Sequence, residues 1–223
     1  MHLPISLIVE STIIILSLQD VFSKYYLLNS INQRKLLAVY LCNMRKLNMD
    51  ELKRKSVEEF KRSDKIPVVV ILENIRSMHN VGSVFRTADA FLIQAIYICG
   101  YTAQPPRKEI DKTALGATES VTWKYFSTTS EAITELRDEG FTVFAIEQVD
   151  SSLSLELLET ISFSNLAIIF GNEVSGVEQS TIERCDSCLE IPQFGIKHSL
   201  NISVAAGIVL WEVVRILDFK IRK

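Results

Sequence analysis

The chain has 223 residues, 48% of them hydrophobic and 23% charged, which fits one globular domain with an appendage and excludes disordered, collagen-like and disulfide-scaffold classes. Its formal net charge of −3 argues against broad nonspecific adhesion to nucleic acid, so an RNA ligand would need a local basic patch.

Residues 1–43 stand apart from the rest. The run Ile5–Leu18 is apolar but holds Glu10, lacks a basic start and a small-residue cleavage site, and falls short of the roughly 20 residues that span a bilayer. It reads neither as a signal peptide nor as a membrane anchor. From Met44 to Arg62 the chain becomes polar and helix-like. Met44 is therefore the expected biological start, with 1–43 an added extension. The other reading is a genuine helix that packs on the domain or on a membrane surface. Residues 44–65 are expected to form an N-terminal helical segment, and 66–223 the main domain.

From Ile66 onward, strand and helix signals alternate. Strands are expected at Val68–Leu72, Ala95–Ile98, Thr142–Ile146, Leu166–Phe170 and Cys188–Ile191. Helices are expected at Val81–Phe91, Ser130–Glu139, Glu178–Arg184 and Asn201–Leu217, with Gly140 as the stop signal of the second. This order argues for an α/β fold, a mostly parallel sheet with helices on both faces. No G-x-G-x-x-G follows the first strand, so the dinucleotide fingerprint is missing.

Three segments join a buried strand or helix to a polar, Gly-bearing turn. The first, Ile71–Phe91, contains Asn80, Gly82 and Arg86. The second, Leu166–Glu178, is a β-branched run broken at Gly171 and followed by Glu173. The third, Ile191–Glu212, passes from Pro192 and Gly195 through His198, Ser199, Leu200 and Asn201 into an apolar helix. Five of the eight glycines, Gly82, Gly171, Gly176, Gly195 and Gly207, fall in these segments. Polar groups at the carboxyl ends of parallel strands are where such sheets bind ligands.

Together the three segments resemble the sequence motifs of the SpoU/TrmH family of ribose 2'-O-methyltransferases, of the SPOUT superfamily, from about Ile66 to the C-terminus. Asn80, Arg86, Glu173, Ser199 and Asn201 stand where those motifs place them. The resemblance implies an α/β fold whose C-terminal segment threads into a deep trefoil knot, a feature otherwise nearly absent from proteins. It implies S-adenosylmethionine as cofactor, held by the loop at Ile146, the turn Phe170–Gly171, and Ile191 with Ser199 and Leu200. It also implies methylation of a ribose 2'-hydroxyl in tRNA or rRNA, and a homodimer joined through the final helix with no stable membrane association.

Within that reading Arg86 is the expected catalytic residue. A guanidinium keeps its proton, so it suits a phosphate contact and a developing alkoxide better than the role of base. Asn80 and Glu173 are expected to support it or order a loop. Ser199 and Asn201 sit where cofactor binding and helix entry coincide, and Asn201 serves equally well as a helix N-cap. Gly171 either admits backbone to the cofactor or ends a strand, and both can hold together. His198 is a hydrogen-bonding loop residue outside the catalytic set. Arg76, Arg86, Arg107, Lys108, Lys112 and Lys197 are the basic-patch candidates, or solvated surface charges.

Of the four cysteines, Cys185 and Cys188 have two-residue spacing but no second pair or His cluster. Reduced cytosolic thiols are expected, with a redox pair as the other reading. Two other functional classes remain to be weighed against the enzyme. A catalytically silent knotted RNA binder would need no Arg86, Glu173 or Asn201. A nucleotide-using α/β enzyme of another kind would carry a phosphate loop, and none is present.

Overall fold

β-Branched runs set the frame. The computed structural model describes residues 45–48, 51–52, 54–197 and 199–221, so the expected extension 1–43, the start at Met44 and His198 lie outside the described residues. Two units separate, Met1–Arg54 and Lys55–Lys223. In the first, Arg45 and Glu51 form a bidentate surface pair at 3.0 and 2.6 Å.

The second unit opens with α1 (Val57–Arg62), capped by a reciprocal box in which Ser56 and Glu59 bond each other's backbone N–H. Among the described residues of the polar run, helix covers Val57–Arg62, while 45–48, 51–52 and 54–56 are not helical. Then follow β1 (Ile66–Glu73), α2 (Met78–Ala90), β2 (Ile93–Cys99), α3 (Lys108–Ala114), α4 (Ala117–Ser120), β3 (Thr122–Phe126), α5 (Thr129–Asp138) and β4 (Thr142–Ile146). The chain continues through β5 (Leu153–Ser154), a 3-10 turn at Leu155–Thr160, β6 (Leu166–Phe170), α6 (Gln179–Ile182), β7 (Ser187–Glu190) and α7 (Ile202–Ile221).

The seven strands form one sheet in the order β3-β2-β1-β6-β4-β7-β5, and every pairing is parallel. The central strands β1 and β6 are buried on both faces, as parallel strands under helices must be. Pro67 cannot donate to the ladder, and the β1–β2 register shifts between Ile66 and Val69.

Alternation splits the core into two layers. Val68, Val70, Leu72, Ile168 and Phe170 pack with α2, α3 and α7 on one face. Val69, Ile71, Ala167 and Ile169 pack with Ala132, Ile133 and Leu136 of α5 on the other. The α/β architecture with helices on both faces is thus as expected. β3, β5, α3, α4 and the 3-10 turn are additions to the expected elements, and the fourth helix extends to Ile221.

Because all strands run the same way, the loops after β1, β6, β4 and β7 leave from one edge of the sheet. All three motif segments therefore turn at that edge. Among the described residues, no helix is long and apolar enough to cross a membrane.

Candidate functional site

Glu173 sits where β1 and β6 neighbour each other. It follows β6 in a tight loop closed by two bonds of 2.9 Å between the backbones of Asn172 and Gly176. Its carboxylate accepts from the Arg76 N–H at 2.9 Å, the Ser77 N–H at 3.0 Å and the Asn80 side-chain amide at 2.8 Å. Partial burial alone would raise this carboxyl. The donors from Arg76, Asn80 and Ser77 outweigh it and hold the carboxyl below its ordinary range.

Asn80 Oδ1 in turn accepts from Asn201 Nδ2 at 3.2 Å. Asn201 Oδ1 accepts from the Ser203 N–H at 2.9 Å, which makes it the N-cap of α7. One network therefore links the start of α2, the turn after β6 and the start of α7. Residues 80, 173 and 201, far apart in sequence, meet at one point.

Asn172 builds the loop that carries Glu173. Its side-chain oxygen accepts from the N–H groups of Val174 and Ser175, and its amide donates to Asn74 O and to the Tyr101 hydroxyl, both at 2.8 Å. Asn74 has a φ of 55°, a conformation that Asn tolerates better than most residues. Below these, the buried Glu73 accepts from the Glu178 N–H at 2.9 Å and the Thr181 hydroxyl at 2.5 Å.

The expected cofactor loops leave from three adjacent strands. Ala145 of β4 pairs with Ile169 of β6, and Ile146 with Leu189 of β7. This brings Ile146, Phe170, Gly171 and Ile191 to one stretch of the sheet edge. Glu147 ties two of the loops together, accepting the Val177 N–H at 2.9 Å while its own N–H donates to Leu189 O at 3.1 Å. Ile146 and Ile191 are half-buried, Phe170 is buried, and Ser199 and Leu200 are exposed.

The profile of the SpoU rRNA Methylase family matches residues 67–211. The chain belongs to that family.

A protein of Staphylococcus epidermidis, described as a TrmH family tRNA/rRNA methyltransferase, is 32% identical over 168 residues, covering 75% of this chain and 65% of that relative. The chain thus spans about two thirds of the relative's length. The A. aeolicus TrmH/SpoU tRNA modifying enzyme superposes with a TM-score of 0.66 at 24% identity, over 77% of this chain and 84% of that one. An AdoMet-bound rRNA methyltransferase from Sinorhizobium meliloti does so with a TM-score of 0.62 at 27% identity, over 68% and 57%.

Of the SpoU motif residues, Asn80, Glu173 and Asn201 come together, and Arg86 does not join them. Six residues beyond Asn80 on α2, Arg86 is displaced by about 9 Å along the helix and turned by about 120°. It is exposed, and its side chain has no hydrogen bond or ion pair among the described residues. Ser199 likewise has no side-chain hydrogen bond among the described residues. Gly171 is explained within the SpoU loop itself, because a Cβ there would lie 2.2 Å from Gly176 C and Val177 N. Gly171→Ala should therefore cost about 1–3 kcal/mol, measured as a lowered denaturant midpoint; an unchanged midpoint would mean that the loop opens freely.

Asn74 and Asn172 lie inside the motif segments without being among the expected site residues, and Tyr101 and Glu147 lie outside those segments. The usable sign was an Asn within two residues of a strand's end, at Asn74 and Asn172 alike, where its side chain can bond nearby backbone. The thiols of Cys99, Cys185 and Cys188 are free. Burial pushes Cys185 up to about 12 and raises Cys188, which speaks against a reactive redox pair.

The Asn80–Asn201 bond allows a double-mutant test. Asn201→Ala should cost about 1 kcal/mol through the lost cap. Together with Asn80→Ala the two losses should be non-additive by about 0.5 kcal/mol or more, read from denaturant unfolding. Strict additivity would mean that the two amides are not coupled.

Proposed function

We propose that this chain transfers the methyl group of S-adenosylmethionine to a ribose 2'-hydroxyl of tRNA or rRNA, with tRNA the first pool to test. The observation that carries the reading is the Asn80–Glu173–Asn201 network, which unites all three motifs beside the loops at Ile146, Phe170–Gly171 and Ile191. The AdoMet in the S. meliloti neighbour and the tRNA/rRNA methyltransferase description of the S. epidermidis relative support it.

The donor set fits the cofactor. Half-buried Ile146 and Ile191 and the 39% exposed Leu200 offer apolar contact to a base, and the loop backbones offer hydrogen bonds to its edge. S-adenosylmethionine supplies an electrophilic methyl carbon. The chain's part is to hold that carbon in line with the 2'-oxygen and to stabilise the charge developing there. Glu173 and Asn80 fix the first turn of α2, and Asn201 fixes the end of the cofactor loop. Arg86 holds an RNA phosphate and favours the alkoxide, while the hydroxyl proton leaves to phosphate or water.

The reading extends to a C-terminal deep trefoil knot, a cytoplasmic location and a homodimer. On α7, Val204, Ile208 and Trp211 are 50%, 39% and 59% exposed at helical spacing, so one face of an otherwise buried helix lacks cover. Gly207 lies on that same face with nothing within 4 Å of a Cβ built there, although glycine costs a helix about 1 kcal/mol relative to alanine. A second copy supplies both the cover and a reason for the small residue. Arg86, displaced from the Glu173 network of its own chain, then serves its partner's site.

The test is methyl transfer from labelled S-adenosylmethionine to total tRNA and, separately, to rRNA from cells lacking the gene, with nuclease mapping of the label. A labelled ribose in one pool fixes reaction and substrate class. Cofactor binding with no label in either pool moves the assignment to a silent RNA binder.

A further inference from the structure

A cavity of about 590 Å3 opens beside the Glu173 network, walled by Met78 of α2 and the run Gly100–Arg107 between β2 and α3. In strand order, β2 lies on one side of β1, and β6, β4 and β7 on the other. Glu173, bonded to the β1–α2 turn, therefore separates this cavity from the cofactor loops. The cavity and the loops proposed to hold the cofactor thus lie on opposite sides of β1 along the sheet edge.

The wall is prearranged. Thr102, buried to 2% exposure, accepts the Ile75 N–H at 2.8 Å and donates to Leu72 O at 3.0 Å. The Tyr101 N–H donates to Asn74 Oδ1 at 3.2 Å, and its hydroxyl is held by Asn172. Fixed at both ends, Tyr101 still leaves 64% of its surface exposed. Gln104 and Arg107 are exposed too, and neither side chain has a hydrogen bond or ion pair among the described residues. The contrast with Arg137 and Arg215, both ion-paired, is plain.

A rigid exposed aromatic ring, a free amide and a free guanidinium in one concavity are the groups that take an unstacked nucleotide. The ring stacks on the base, the amide bonds its edge, and the guanidinium meets a phosphate. The volume falls in the range of small-ligand sites. We propose that this cavity receives an unstacked nucleotide of the RNA substrate next to the one methylated, with its base on Tyr101, its edge on Gln104 and its phosphate on Arg107. This deepens the reading of the chain as an RNA methyltransferase and rests on it for the nature of the ligand.

The experiment needs no methyl transfer, so it fails or succeeds separately from that reading. Fluorescein-labelled homo-oligoribonucleotides of A, C, G and U are titrated with the full chain, and binding is followed by anisotropy. Tyr101→Ala should weaken the preferred oligomer about tenfold, and Tyr101→Phe, which keeps the ring but loses the bond to Asn172, should restore most of the affinity. Arg107→Ala should lower the slope of log affinity against log salt by about 0.7. Wild-type chain that binds no oligomer overturns the assignment, as does Tyr101→Ala with unchanged affinity for all four. Tyr101→Phe losing as much as Tyr101→Ala overturns it as well, leaving Tyr101 a structural tie to Asn172. Oligomer binding through Tyr101 in a chain that methylates nothing keeps the cavity and removes the enzyme.

Discussion

Arg86→Ala should lower methyl transfer about a thousandfold, the scale on which removal of one charge-stabilising donor acts. Affinity for S-adenosylmethionine should stay within a few-fold, because Arg86 lies on none of the three loops proposed to hold the cofactor. The melting temperature should move by no more than about 2 °C. The structural ground is the exposure of Arg86 and its lack of any partner among the described residues, so its removal breaks nothing within the chain. Arg86→Lys should recover little, since a lysine cannot reproduce a bidentate phosphate contact. Turnover retained in Arg86→Ala, measured with saturating cofactor, would take Arg86 out of the mechanism.

This separation of Arg86 from Glu173 was not visible in the motifs. Residues 80 and 86 lie close in sequence, and only the helix between them sets their side chains on different faces. What the sequence does carry is burial. Val68–Leu72 and Leu166–Phe170 are β-branched runs because both faces of β1 and β6 are covered, so the central strands are legible. β3 is not, because Thr122–Phe126 is an edge strand whose exposed or half-buried positions include Lys124. α3 and α4 are too short for a clear period, and neither has a side-chain cap.

The site divides in the same way. Asn80, Glu173 and Asn201 were legible one by one as polar groups at turns. Their convergence depends on strand order, which places the β6 turn beside β1 and not beside its sequence neighbours β5 and β7. Two of the three donors to Glu173 are main-chain N–H groups of Arg76 and Ser77, and backbone donors leave no signature in residue type. The wall at Tyr101 was invisible for a further reason. Its role comes from Asn172 and Asn74, which reach it across the edge of the sheet.

In the dimer proposed through α7, Trp211→Glu should separate the subunits and leave a folded monomer without methyl-transfer activity. In the single chain Trp211 is 59% exposed and touches Phe91 in a tilted ring contact with centroids 6.1 Å apart. A glutamate there stays in water in the monomer, so the loss within the chain is limited to that ring contact, about 0.5–1.5 kcal/mol. In a dimer the same carboxylate would be enclosed between two α7 faces without a partner, a cost of several kcal/mol that separates the subunits instead. The fold should survive because Val209, Leu210 and Val213, on the opposite side of α7, are fully buried in their own chain. In the proposed dimer Arg86 serves the partner's site, so activity should vanish with the interface. Sedimentation and circular dichroism separate the outcomes: a folded, inactive monomer fits the α7 interface. A Trp211→Glu protein that remains a soluble, active dimer would put the interface on another face and return Arg86 to its own chain's site.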